Sequence, residues 1–303
     1  VYGSVVFLSA ELFYFVIIIT MIAKTFTFSA SPTTVLFVLV HGNEIVGKYL
    51  SRYVVQQLKQ SHGLQTFIVI HGNPKAYKIR QRFVDEDLNR VFHKVARYDE
   101  ADTYELRRAK DIVKFLGKKI DYMFDIHSAS GGTNPMIICN KHLKSLYLAS
   151  QINIPRVVTL IDNVVTSLLK HFENTVKLCL AFECGHRERK SWITKRIVDA
   201  LIDFHKKDRD SAHRKVFPQS VVQVENLIVS TDPSFQFSKN YRFEIIKKEI
   251  RKETGKLHIC DEEKIIILPN HSFHLTLQKQ QSVVAYFGTL LQNMNDVCCS
   301  EFI

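Results

Sequence analysis

An unbroken apolar run, Val35-Leu36-Phe37-Val38-Leu39-Val40, is followed by apolar residues at a different period: Ile45, Val46, Tyr49, Leu50, Tyr53, Val54 and Leu58. The run predicts a strand buried on both faces, and the spacing after it predicts an amphipathic helix. Further strands are expected at Thr66–Ile70, at Asp121–Ile126, near Met136 and Pro155, and at Leu178–Phe182. Helices are expected at about Ala101–Leu116 and Trp192–His205, the second through Ile193, Ile197, Leu201 and Phe204. Residues 82–90 follow neither period and read as a charged loop. Strands alternating with helices predict an α/β fold, a mostly parallel or mixed sheet with helices on both faces. Beyond about Asp208–Pro218 the runs become short and β-like: Val221–Val224, Phe243–Ile246, Ile265–Leu268, Phe273–Leu277 and Val283–Phe287. They predict a smaller β-rich C-terminal domain. The expected division is an apolar N-terminal extension at 1–30, a main domain at 31–213 and the β-rich domain at 214–303.

The N-terminal extension is set apart by its composition. Leu12 to Ala23 is almost wholly apolar and is closed by Lys24. That is short of the roughly 20 residues a membrane helix needs, although Val5 to Ala23 reaches the length if Glu11 is tolerated. A secretory signal would begin with positive charge, which is lacking, while Phe28-Ser29-Ala30 offers a cleavage-site pattern. The segment is read as a signal, an anchor or a misassigned extension, with membrane contact expected only if residues 5–23 are retained. Six cysteines without a Cys-x-x-Cys spacing point to reduced thiols and a cytoplasmic location, with export or membrane anchoring as the alternative.

The formal charge of +11 narrows the ligands. Lysines and arginines are spread over predicted helix surfaces without stacking aromatic residues interleaved at a regular spacing. A small anionic substrate is expected, and no specific nucleic-acid partner. Assembly into a homo-oligomer is left open.

The chemistry begins where the first strand ends. His41-Gly42-Asn43-Glu44 follows the apolar run, so His41 and Glu44 emerge at the carboxyl end of a strand, where open α/β sheets bind ligands. His127 follows the run Asp121–Ile126 into the same kind of position. Two histidines and one carboxylate, with a fourth position open, make the ligand set of a hydrolytic zinc centre. His71-Gly72-Asn73 repeats the tripeptide, but Pro74 stands where a carboxylate would be needed. His71 is therefore read as part of a turn set by Gly72 and the Asn73-Pro74 pair. Glu183 ends the apolar strand Leu178–Phe182, a place where a glutamate can have the basicity of a proton shuttle.

Four motifs occur in order: His41-Gly42-Asn43-Glu44, Asp87-Leu88-Asn89-Arg90 preceded by Arg82, Asp125-Ile126-His127-Ser128, and Phe182-Glu183-Cys184-Gly185. Together they resemble the succinylglutamate desuccinylase/aspartoacylase family, relatives of the zinc carboxypeptidases. The resemblance implies a zinc carboxypeptidase-like fold and one Zn2+ per chain held by His41, Glu44 and His127. It further implies Glu183 as general base, Arg82 as oxyanion donor, and Asn89 and Arg90 on a substrate carboxylate. Tyr286 falls where the family's C-terminal domain contributes a substrate-contacting tyrosine. Asp87 is expected to orient Arg90 or the loop, and Asp125 either supports His127 or faces into the sheet. The family's arginine for a second substrate carboxylate has no counterpart in Leu169-Lys170-His171-Phe172-Glu173-Asn174. N-acetylaspartate is accordingly expected to be a poor substrate.

The reading is a zinc-dependent amidohydrolase that deacylates an N-acyl amino acid or similar small carboxylate. The alternatives are a metallocarboxypeptidase acting on peptides and a non-catalytic metal-binding protein.

Overall fold

The computed structural model describes residues 4–10, 13–19, 23–27, 33–60, 66–96, 102–117, 120–129, 135–160, 168–186, 192–207, 217, 219–230, 245–246, 264–267 and 282–291. Two compact units divide the chain: residues 1–127, 165–182 and 190–215, and residues 128–164, 183–189 and 216–303.

The first unit is built on strands β1 (Ser4–Ala10), β2 (Phe13–Ile19), β3 (Ala23–Thr27), β4 (Thr33–Val38), β5 (Thr66–His71) and β6 (Tyr122–Ala129), arranged in the order β1-β2-β3-β5-β4-β6. β6 is followed in that order by β9 (Leu178–His186), whose residues to Phe182 belong to this unit. β5, β4 and β6 are parallel, with Val38 opposite His71 and Phe37 opposite Asp125. The N-terminal residues that suggested a signal or anchor form antiparallel strands, and β3 pairs with β5 from Ala23↔Ile70 to Thr27↔Thr66. Their composition explains this: Phe13-Tyr14-Phe15-Val16-Ile17-Ile18-Ile19 is all aromatic and β-branched, which suits a pleated surface better than a helix. Among the described residues no helix is long and apolar enough to cross a membrane.

Helices cover both faces of the parallel strands. α1 (Val46–Gln60) buries Val46, Leu50 and Val54 and packs against β4 and α7 (Trp192–Lys207). Tyr53, expected on that face, is exposed: the buried stripe extends from Val46, Leu50 and Val54 towards Gly47 and Ser51, which leaves Tyr53 at its opposite edge. Phe204 of α7 meets Tyr122 and Phe124 of β6 edge-on, at centroid separations of 5.2 and 6.0 Å. On the other face Phe37 of β4 packs against Phe92, in the 3-10 turn Phe92–Lys94, and Phe172 of α6 (Leu168–Phe172). The remaining helices of this unit are α2 (Pro74–Lys78), α3 (Leu88–Val91) and α4 (Tyr104–Leu116).

The second unit orders its strands β7-β8-β10-β13-β12-β11, from β7 (Met136–Asn140), β8 (Arg156–Leu160), β10 (Ser220–Ser230), β11 (Ile245–Ile246), β12 (Lys264–Ile267) and β13 (Ser282–Leu291). β7, β8 and β10 are parallel, and β10, β13, β12 and β11 are successively antiparallel. α5 (Leu143–Ser150) connects β7 to β8, and Gln219 Nε2 donates to the carbonyls of Ala149, in its last turn, and of Ile152 and Ile154 beyond its end. The run expected at Phe273–Leu277 lies outside the described residues.

The turn that leaves β4 is built on close approach. Leu39 takes a left-handed conformation, with φ of 57°, although it is a buried leucine. A Cβ on Gly42 would lie 2.1 Å from the backbone carbon of Ala76 in α2, so only glycine fits. Gly42→Ala is expected to destabilise by about 3 kcal/mol, the upper end for overpacking, because backbone cannot swing aside as a side chain can. In a thermal melt that is a fall of roughly 5–10 °C for a chain of this size. An unchanged midpoint would show that the turn and α2 separate freely.

Candidate metal centre

The register of β4 and β6 brings two histidines to the same edge of the sheet. Phe37 pairs with Asp125, so His127 stands two residues further along β6, level with the turn that carries His41 and Glu44. All three are buried, at 2%, 3% and 5% exposure for His41, Glu44 and His127. One ligand atom from each lies within 4.8 Å of the others, the one such group of His, Cys, Asp or Glu among the described residues. The expected metal ligands are thus brought together.

Glu44 is shared between the two rings. Its Oε1 lies 2.8 Å from His41 Nδ1 and its Oε2 lies 3.2 Å from His127 Nδ1. The opposite nitrogen of each ring meets a second carboxylate. His41 Nε2 is 3.0 Å from Asp87 Oδ1, and His127 Nε2 is 2.7 Å from Asp125 Oδ2. Asp125 and His127 are two apart on β6, so strand alternation puts both side chains on one face. A carboxylate on the far nitrogen fixes the orientation of a ring and raises its basicity as a ligand.

Charge follows the same geometry. Burial pushes the Glu44 carboxyl up, yet His41 and His127 together hold it well below the usual carboxylate range. Burial likewise works against the His127 cation, but Asp125 and Glu44 hold its pKa well above that of a free imidazole. Asp87, raised by burial, is brought well below the usual range by Arg82 and His41.

Arg82 belongs to this cluster. Its Nε and Nη2 donate to Asp87 Oδ2 at 3.0 and 2.9 Å, and its Nη1 lies 3.7 Å from Glu44 Oε1. Asp87 therefore ties Arg82 to His41, beyond the role towards Arg90 or the loop that the sequence had suggested; Arg90 is among the charges that lower its pKa. The same aspartate is the N-cap of α3, its Oδ1 accepting from the Asn89 N–H at 2.9 Å. Asn89 Oδ1 accepts the Leu168 N–H at 2.9 Å, which fastens the start of α6 to the arginine loop. His71 stands outside the cluster; its carbonyl and that of Gly72 accept from Arg108, and Asn73 caps α2 through Ala76 N–H.

The remaining expected residues lie in the second unit. Glu183 is the first residue of that unit on β9, directly after buried Phe182. Tyr286 sits on β13, opposite Leu227 of β10 and Ile267 of β12.

Glu105 gave no signal beyond its place in the first turn of a helix. It is fully buried, and its carboxylate accepts from Asn73 Nδ2 at 2.8 Å and from the N–H groups of Val84, Asp85 and Glu86 at 2.7, 3.0 and 3.2 Å. Its partners are one side chain and three backbone N–H groups, all distant in sequence, which no sequence period displays.

A sequence profile described as the succinylglutamate desuccinylase/aspartoacylase catalytic domain matches residues 30–197. An N-acyl-aromatic-L-amino acid amidohydrolase (carboxylate-forming) of Rattus norvegicus is 32% identical over 110 residues, covering 32% of this chain and 34% of the rat protein. Its namesake in Xenopus tropicalis is 34% identical over 98 residues, covering 30% and 31%. The matches thus span about a third of the length of these curated relatives. Among solved structures, succinylglutamate desuccinylase of Vibrio parahaemolyticus has a TM-score of 0.69 at 15% identity, covering 96% of this chain and 92% of that one. Murine aminoacylase 3 has a TM-score of 0.64 at 18% identity, covering 87% and 97%. These two likenesses carry the fold. With the profile spanning more than half of its residues, the chain belongs to the succinylglutamate desuccinylase/aspartoacylase family.

Proposed function

We propose that this chain is a zinc-dependent amidohydrolase that removes the acyl group from an N-acyl amino acid. The observation that carries the reading is the convergence of His41, Glu44 and His127 with the Arg82 guanidinium 3.7 Å from Glu44. The donor set suits zinc: two imidazole nitrogens and a carboxylate hold the ion and keep one position open. The Nδ1 atoms of His41 and His127 and the carboxylate of Glu44 would hold it, one ion per chain, with Asp87 and Asp125 orienting the two rings. Bound there, zinc would lower the pKa of water to about 7 and polarise the amide carbonyl.

The protein's own groups do the rest. Arg82 donates to the carbonyl oxygen as negative charge develops on it, and Asp87 keeps the guanidinium aimed. Glu183, at the end of an apolar strand segment and within the family's Glu-Cys-Gly motif, takes the proton of the attacking water and delivers it to the leaving amine. Arg90 grips the substrate carboxylate with its planar fork. Asn89 assists through its amide nitrogen, its oxygen being engaged with Leu168. Tyr286 is a further substrate contact by family resemblance.

A neutral amino-acid side chain fits this chain better than an acidic one. Lys170, the cation nearest in sequence to the missing arginine, is paired with Glu173 at 2.5 Å. His171 stacks near Phe92 and Phe172, and burial lowers its pKa, which disfavours the cation. A second substrate carboxylate would therefore find no ready clamp. The curated relatives are named for aromatic substrates, in keeping with this preference.

Three measurements test the reading. Zinc-reconstituted protein is expected to hold one equivalent and His41→Ala little; equal metal in the two would remove the centre. Glu183→Gln should keep its zinc while hydrolysis falls by about 10²-fold, the usual scale for a lost general base; unchanged turnover would take Glu183 out of the mechanism. In a panel of N-acetyl amino acids, N-acetyl-L-phenylalanine should exceed N-acetyl-L-aspartate in kcat/KM by at least about 30-fold, since a lost charge partner at a buried site costs about 2–5 kcal/mol. N-acetyl-L-aspartate at the head of the ranking would overturn the substrate assignment and leave the metal chemistry standing.

A further inference from the structure

We propose that Glu105 is a positioning residue for the reaction: through the backbone of residues 84–86 it holds the loop that presents Arg82 and Asp87 to the metal centre. The inference rests on the role given to Arg82 above.

The loop from Arg82 to Asp87 has no regular structure of its own, and four of its side chains, Phe83, Val84, Asp85 and Glu86, are turned wholly or partly to solvent. Such a segment would ordinarily sample many conformations, and each would carry the guanidinium to a different place. Here three successive N–H groups, of Val84, Asp85 and Glu86, point at the two oxygens of one buried carboxylate. Three N–H groups on one anion form a concave cradle of the kind backbone uses to bind free anions, filled here by a side chain of the same protein. The loop is thereby held through its backbone, and its side chains add to the hold: Asp85 Oδ2 accepts the Tyr104 N–H at 2.8 Å, and the Glu86 carboxylate accepts from Thr103 Oγ1 and, at 3.0 Å, from Lys94 Nζ.

Glu105 also has a fixed seat. It follows Thr103, whose Oγ1 caps α4 by accepting the Leu106 N–H, so the carboxylate lies in the first turn of a helix of 13 residues. Its fourth donor is Asn73 Nδ2, and Asn73 is the N-cap of α2, the helix against whose backbone Gly42 packs. Gly42 N–H in turn donates to the Arg82 carbonyl at 3.1 Å. One carboxylate thus joins the turn carrying His41 and Glu44 to the loop carrying Arg82 and Asp87. It touches none of the metal ligands, so its removal should disturb the arginine more than the metal.

Substituting Glu105→Gln keeps the shape but exchanges an acceptor oxygen for an amide donor, which faces N–H groups that are donors themselves. With N-acetyl-L-phenylalanine as substrate, we expect kcat to fall about 10-fold or more, KM to change less than about threefold, and zinc content to hold, since misplacement of a catalytic group by about 1 Å costs up to about 10²-fold. Glu105→Asp, which keeps the charge but draws it back by one methylene, should fall between the two. In an Arg82→Ala background the same Glu105→Gln change should alter kcat by less than about twofold, because the group being positioned is already gone. Hydrogen exchange supplies a readout apart from turnover: amides of residues 84–86 should exchange faster in Glu105→Gln, and those of β4 and β6 at the wild-type rate. Loss of zinc together with activity, faster exchange in β4 and β6, or a full additional loss of kcat in the Arg82→Ala background would overturn the proposal and leave Glu105 a residue of the fold. Wild-type kcat in Arg82→Ala alone would instead overturn the role of the arginine, and that single variant tells the two failures apart.

Discussion

Glu44 is a buried carboxylate that two histidines share, and the rest of the centre is arranged around its ionisation. An isolated carboxylate at this depth would be penalised by several kcal/mol and would take up a proton. The two Nδ1 atoms prevent this, and the two rings are themselves braced from behind by Asp87 and Asp125. Three carboxylates therefore surround two imidazoles and one guanidinium. That balance is hospitable to a cation. In the arrangement described, His127 is the group that answers the negative charge, with its pKa held well above the ordinary value. A divalent ion among the same atoms would satisfy Glu44 and both rings at once, with the two outer aspartates accepting from the far nitrogens.

Such an arrangement needs a backbone that can bring residues 41 and 44 onto a ring 83 residues further along. Strand β4 supplies burial and direction, but an extended chain would overshoot. Leu39 turns it, at a cost of about 1–2 kcal/mol for a left-handed leucine. Two bonds help offset that strain: the Asn73 N–H donates to the Leu39 carbonyl and the Gly72 N–H to the Val38 carbonyl, both at 2.8 Å. The second His-Gly-Asn sequence thus has its own task. It contributes no ligand, but it caps α2 and holds the end of β4 in the conformation that the first one requires.

The parts that were legible in the sequence are those governed by period and by local order. The run from Val35 to Val40 named the central strand and put His41 and Glu44 beyond its end, and the run Asp121–Ile126 led to His127, which lies inside β6 rather than past it. Short elements were not legible. α2, α5 and α6 run for only five to eight residues, too few for a helical period to stand out from their neighbours. The N-terminal strands were obscured because an apolar run of that length reads equally as a membrane segment. Asp87 and Glu105 were undervalued for a different reason. Their hydrogen bonds run to residues 46 positions away and 19 to 32 positions away, so what each holds emerges only when the chain has folded. A carboxylate in a charged loop and one in a helical first turn look like solvated residues until their partners are known.

The arginine loop is tied to the metal centre at one end and to α6 at the other. At one end Asp87 joins the guanidinium to His41; two residues later Asn89 takes the Leu168 N–H and so anchors the start of α6. α6 is the helix that carries Lys170 and leads into Glu173, and these two form an ion pair at 2.5 Å. The anchor is rigid on both sides, since Leu168 and Leu88 are fully buried. A cation introduced at residue 173 would therefore do more than add a charge. It would release Lys170, and any shift of α6 to accommodate it would pull through Asn89 on the same short helix that Asp87 caps. The arginine loop and α6 are thus coupled through the bond from Leu168 to Asn89, and a change in either bears on the other.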